Sequence, residues 1–203
     1  MLALIVTGMQ NDYCSPSGAL SSTGAAVDSI AAMAPAAEEL LELCRSSAVP
    51  VFHSRLESLA AGVSDSPAWT AGCRRNGLSD GFARSGSWGS QPVQGFADRM
   101  GEFVVPRFRS GAMSDSSMTV LLRSEGVDTL LLAGVETQQS VLATVVQAAN
   151  LDFRVIVMAT CVASTRADLH DSALDLCEGF ATIERRRPSP AVLESLNTPI
   201  GVG

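Results

Sequence analysis

Apolar residues in this chain come in short unbroken runs, separated by longer stretches of mixed polarity. Leu2–Val6, Val49–Phe52, Phe103–Val105, Thr129–Leu132, Arg154–Met158 and Phe180–Ile183 each read as a short strand. Runs without polar–apolar alternation belong to strands covered on both faces, the usual state of a parallel sheet. Between the strands the period lengthens. Ile30, Met33, Ala37, Leu40, Leu41 and Cys44 recur at helical spacing, and Pro35 is expected near the start of that helix, where a missing N–H costs little. Ser116 or Ser117 is expected to cap a helix through Leu121-Leu122 that stops before Gly126. Gln138–Asn150 and Asp168–Cys177 supply two more helices. Strand–helix alternation of this kind predicts a doubly wound, three-layer α/β sandwich around a six-stranded, mainly parallel sheet.

One stretch breaks the rhythm. Glu57–Gly101 is rich in Ser, Gly and Pro and holds both tryptophans, Trp69 and Trp88. A connection this long usually carries function or packs against a partner, so it is expected to cover a site or a subunit interface.

Composition narrows the picture. A chain of 203 residues with 46% hydrophobic content is read as one domain, 1–203, with a sizeable core. A net charge of -7 argues against nucleic-acid binding, which rests on clustered Lys and Arg. The one basic run, Arg185-Arg186-Arg187, reads as a solvated helix end or tail. Five cysteines without CxxC spacing fit reduced thiols better than a disulfide framework. No segment approaches the roughly 18 apolar residues that span a bilayer. Leu2–Val6 is too short for a signal peptide and has no basic residue before it. The expectation is a cytoplasmic protein with no membrane contact.

Three segments carry candidate chemistry. The first strand enters the polar turn Gly8-Met9-Gln10-Asn11-Asp12-Tyr13. The third leads through Pro106-Arg107-Phe108-Arg109-Ser110-Gly111. The fourth opens into Gly134-Val135-Glu136-Thr137-Gln138-Gln139-Ser140-Val141. In order and spacing these resemble the three signatures of the isochorismatase-like cysteine hydrolases, and the resemblance spans nearly the whole chain. Ser66–Trp69 and Ser164–His170 look closest to the ureidoacrylate and N-carbamoyl amidohydrolase branch.

The resemblance implies a triad of aspartate, lysine and cysteine, and here those positions hold Gly8, Arg107 and Ser140. It also implies an oxyanion hole from the backbone N–H groups of Glu136 and Ser140 and a cis peptide at Val135–Glu136. No cofactor is expected. In that family a thiolate attacks a planar C–N carbonyl while the aspartate manages the proton. The isochorismatase branch dispenses with the cysteine but still needs the aspartate, which Gly8 removes as well. A serine hydroxyl is a weak nucleophile without a base within reach. Arg107 keeps its charge, and its planar fork suits carboxylates and phosphates.

The leading expectation is therefore a family member with a degenerate triad that keeps a pocket for a small, anionic molecule. One alternative is a hydrolase of amide, ureido or ester bonds rewired around Ser140. Another is a structural subunit. A carboxylate or histidine beside Ser140 favours the first alternative, and a pocket filled by side chains favours the second. A homo-oligomer is expected from the long Trp-bearing segment and the apolar composition. Restoring Asp, Lys and Cys together is expected to give a reactive thiol.

Other residues have plainer readings. Asp12 matches a structural aspartate of the motif, and the Glu136 side chain is expected to point to solvent. With only His53 and His170, the metal-binding pattern of some relatives cannot be assembled, so both are read as structural and no metal is expected. Cys161 reads as a small core residue. Tyr13 and Trp69 either line a pocket mouth or sit in the core or an interface.

Overall fold

The computed structural model describes residues 1–114 and 116–197. Six strands, β1 (Leu2–Thr7), β2 (Val51–Leu56), β3 (Phe103–Arg107), β4 (Thr129–Val135), β5 (Arg154–Ala163) and β6 (Thr182–Glu184), form one sheet in the order β3-β2-β1-β4-β5-β6. Every neighbouring pair is parallel. The chain winds outward in both directions from the β1–β4 pair, so the strand order reverses there. In open α/β sheets, ligands collect beyond the carboxyl ends of the strands at such a switch point.

β1 shows why the sheet is covered on both sides. Its side chains alternate by period two, and both sets are buried. Leu2, Leu4 and Val6 pack with helix α3 (Asp28–Ser46) and helix α8 (Pro190–Leu196). Ala3 and Ile5 pack on the other face with α5 (Met118–Ser124), α6 (Leu142–Ala149) and α7 (Ala167–Cys177). The short helices α1 (Asn11–Cys14) and α2 (Ala19–Ser22) follow β1 at the carboxyl end of the sheet. Among the described residues no helix is long and apolar enough to cross a membrane.

Several boundaries differ from those the pattern predicts, each for a physical reason. β2 starts later and runs through His53, Ser54 and Arg55, whose polarity hides a strand. His53 is buried because its Nε2 lies 2.7 Å from Glu102 Oε2. β4 and β5 run on to Val135 and Ala163, whereas β6 begins only at Thr182 and leaves Phe180 exposed. Pro35 lies in the interior of α3, not near its start. It sits on the exposed face of that helix, where solvent can take the carbonyl left without its N–H partner.

Ser117 holds the N-cap position of α5 without a side-chain bond, and Ser116 Oγ instead accepts from the Met118 N–H at 3.2 Å. The helix read over 138–150 opens with a widened π turn, Thr137–Val141, before α6. Arg185–Arg187 follow β6 rather than a helix, with Arg185 and Arg186 paired to Glu178 and Glu184.

The segment 57–101 is ordered by polar anchors. It contains an unforeseen helix, α4 (Pro67–Arg75), capped by Ser66 Oγ on the Trp69 N–H, with Pro67 in the first turn. Gln10 is fully buried and ties three elements together. Its Nε2 donates to the Leu56 and Ser90 carbonyls at 2.9 Å each, and its Oε1 accepts from Leu56 N–H at 2.8 Å. Asp12 accepts from the Ala19 and Ala83 N–H groups at 3.1 and 2.7 Å. That is the structural role its motif position predicts.

Candidate functional site

β1 and β4 deliver their last residues to the same place. Gly8 follows β1 in the left-handed region, at φ +68°, and a Cβ there would overlap the backbone carbonyl oxygen of Val135. Gly134 has φ +119°, and a Cβ there would overlap the Thr7 carbonyl oxygen. Two backbones have closed together where a bulkier residue would hold them apart. The next peptide, Val135–Glu136, is cis.

Arg107, the last residue of β3, reaches this junction with no exposed surface. Its Nη1 donates to the Arg109 carbonyl at 2.6 Å and its Nη2 donates to Ser140 Oγ at 2.9 Å. Nε has no partner, and no carboxylate pairs with the guanidinium among the described residues. Burial pushes the Arg107 pKa down. Tyr13 lies within its electrostatic reach. Burial raises the Tyr13 phenol, the guanidinium opposes that rise only in part, and the phenol stays protonated at neutral pH.

Ser140, in the π turn, is 1% exposed. Among the described residues neither a carboxylate nor an imidazole hydrogen-bonds its hydroxyl. His170 Nδ1 lies 2.9 Å from Thr137 Oγ1, and His53 is held by Glu102. Gly8, Arg107 and Ser140 thus gather at the carboxyl ends of β1, β3 and β4, buried together.

Glu136 corrects the sequence reading. Its side chain does not point to solvent but is only 3% exposed. The carboxylate accepts from Gln138 Nε2 at 2.7 Å, Thr165 Oγ1 at 3.0 Å and the Thr165 N–H at 3.2 Å. An acidic residue directly after a fully buried strand was the one available signal, since such a position has little route to water.

Above the buried residues lies a cleft in two parts. One cavity of about 270 Å³ is lined by Tyr13, Trp69, Cys73, Ser110 and Gln139, among others. The other, about 350 Å³, includes Tyr13, Arg75, Glu136, Gln138, Gln139 and Arg166. Tyr13 and Gln139 line both. Tyr13 packs edge-to-face on Phe82 with centroids 4.8 Å apart, and the Arg109 guanidinium lies 5.4 Å from the Trp69 ring centroid. Gln138 and Gln139 went unnoticed in the sequence, where nothing distinguishes a glutamine facing a cleft from one facing solvent.

Among the described residues, no three His, Cys, Asp or Glu side chains gather as a metal site. The thiols are equally quiet. Burial pushes Cys14 and Cys44 up to about 12 and Cys161 and Cys177 up to about 11. Cys161 donates to the Ala36 carbonyl at 3.4 Å from within the core. Only Cys73, in the cleft, is not fully buried. Burial raises the Cys73 thiol as well, so under native conditions a disulfide reagent is expected to titrate this one thiol per chain ahead of the others, and all five only after unfolding. Rapid reaction of several thiols in the native protein would contradict the burial.

A model described as isochorismatase domain matches residues 2–186. The chain belongs to the isochorismatase family. Within that family it is similar to maleamate amidohydrolase of Pseudomonas putida, with 26% identity over 199 residues, 96% of this chain and 87% of that protein. It is also similar to ureidoacrylate amidohydrolase RutB of Azorhizobium caulinodans, with 27% identity over 161 residues, 74% of this chain and 71% of that one. Two solved structures share the fold. An isochorismatase family protein from Desulfovibrio vulgaris superposes with a TM-score of 0.78 at 23% identity, over 96% of both chains. A cysteine hydrolase from Pseudomonas syringae pv. phaseolicola superposes with a TM-score of 0.80 at 19% identity, over 95% of this chain and 90% of that one.

Proposed function

We propose that this isochorismatase-family protein has a degenerate triad, with Gly8, Arg107 and Ser140 at the aspartate, lysine and cysteine positions. On this reading it keeps the cleft as a small-molecule site and lacks the amidohydrolase and isochorismatase activities. The observation that carries the proposal is the state of Ser140. Its hydroxyl accepts from a buried cation, has no base beside it among the described residues, and lies beneath the cleft rather than in it. An oxygen accepting from a guanidinium is a poorer nucleophile than a free hydroxyl, and no carboxylate or imidazole among the described residues hydrogen-bonds it to take its proton.

The cleft supports a ligand with an anionic group. Arg75 stands at its mouth, and the relatives are named for maleamate and ureidoacrylate, both carboxylates. The open cleft also favours this reading over a purely structural subunit. Ser140→Ala is expected to leave any residual hydrolysis of an amide or ester probe unchanged. Loss of a working nucleophile costs about 10⁴–10⁶-fold in turnover. A drop of that size, with labelling of Ser140 by a serine-directed phosphonate, would establish the rewired hydrolase instead.

A further inference from the structure

The polar end of the cleft contains more hydrogen-bond acceptors than the protein itself satisfies. Glu136 is a buried carboxylate with no basic partner among the described residues. Its contacts are lopsided. Oε2 accepts from Gln138 Nε2, Thr165 Oγ1 and, each at 3.4 Å, Ser164 Oγ and the Thr165 N–H. Oε1 has a single bond, from the Thr165 N–H at 3.2 Å. Because the Gln138 amide nitrogen donates to Glu136, the oxygen on the other side of that amide is buried without a donor among the described residues. Both residues line the same cavity of about 350 Å³.

An uncompensated carboxylate and an orphaned amide oxygen are each costly when removed from water. Side by side on one cavity wall, they call for a group that is positively charged and carries several N–H donors. A protonated primary amine is such a group, with three donors and a single charge. Arg166, at the same cavity, cannot serve, since its guanidinium is held by Asp168 at 2.6 and 2.8 Å.

We propose that the Glu136–Gln138 wall is a recognition subsite for a protonated amino group of the bound small molecule. This rests on the cleft being a binding site, and it makes the ligand a zwitterion. The amino end meets Glu136 and Gln138, and the anionic end meets Arg75 at the mouth.

Titration with n-butylamine at neutral pH, followed by amide ¹H–¹⁵N spectra, tests the subsite. The Thr165 backbone amide and the Gln138 side-chain amide are expected to shift saturably. n-Butanol, of the same length but uncharged, is expected to leave them unmoved. Glu136→Gln is expected to weaken amine binding by about tenfold or more, while butyrate binds as it does to the wild type. The amine–alcohol comparison needs no variant, so it stands should Glu136→Gln fail to fold. Equal shifts with n-butanol, or unchanged amine affinity in Glu136→Gln, would overturn the subsite. So would silence with the amine while butyrate moves Tyr13 and Gln139, and that result would leave the cleft reading intact. Silence of these residues with every probe would overturn both.

Discussion

Gly8→Asp is expected to lower folding stability by about 2–5 kcal/mol. Two independent penalties add. The residue sits at φ +68°, where a side chain is strained, and its Cβ would overlap the Val135 carbonyl oxygen. Backbone cannot swing aside as the end of a flexible side chain can, so β1 and β4 must separate at the junction. For a domain of this size the loss corresponds to a Tm lower by roughly 5–15 °C, measurable by circular dichroism. An unchanged Tm would show that the two strand ends are free to part. This closure also revises the expectation for the restored triad. Asp, Lys and Cys introduced together at 8, 107 and 140 are now expected to give a destabilised protein, not a reactive thiol, because the aspartate has no unstrained place to stand.

Gln10→Ala is expected to cost a comparable amount, about 2–4 kcal/mol. The substitution deletes three buried hydrogen bonds and leaves the buried Leu56 N–H without its partner. The damage should be directional. Leu56 and Ser90 bracket the segment that carries α4, so limited proteolysis of the variant is expected to cut first within 57–101. Cleavage spread evenly over the chain, or a urea midpoint equal to that of the wild type, would show that this glutamine does not hold the segment.

The fold was readable because it depends on the period of apolar residues. β1 is buried on both faces, and a run such as Leu2–Val6 has few other folded solutions. What the pattern missed is held by polar atoms. β2 extends through His53 because Glu102 meets the imidazole, and α4 closes over the site because Gln10 and Asp12 anchor its flanks. Hydrogen bonds between residues tens of positions apart leave no periodic trace. The site divides in the same way. Gly8, Arg107 and Ser140 could be located by their places in three motifs. The burial of Glu136 shows only in its place directly after an apolar run, because the groups that hold it, Thr165 and Ser164, arrive from the end of β5.

The most direct test is the turnover of maleamate and ureidoacrylate by the wild-type protein, alongside an active amidohydrolase of the family under the same conditions. Rates about 10⁴-fold or more below that control are expected, and identical ones in Ser140→Ala. Turnover at ordinary enzyme rates, about 1–10³ s⁻¹, that disappears in Ser140→Ala would contradict the degenerate triad.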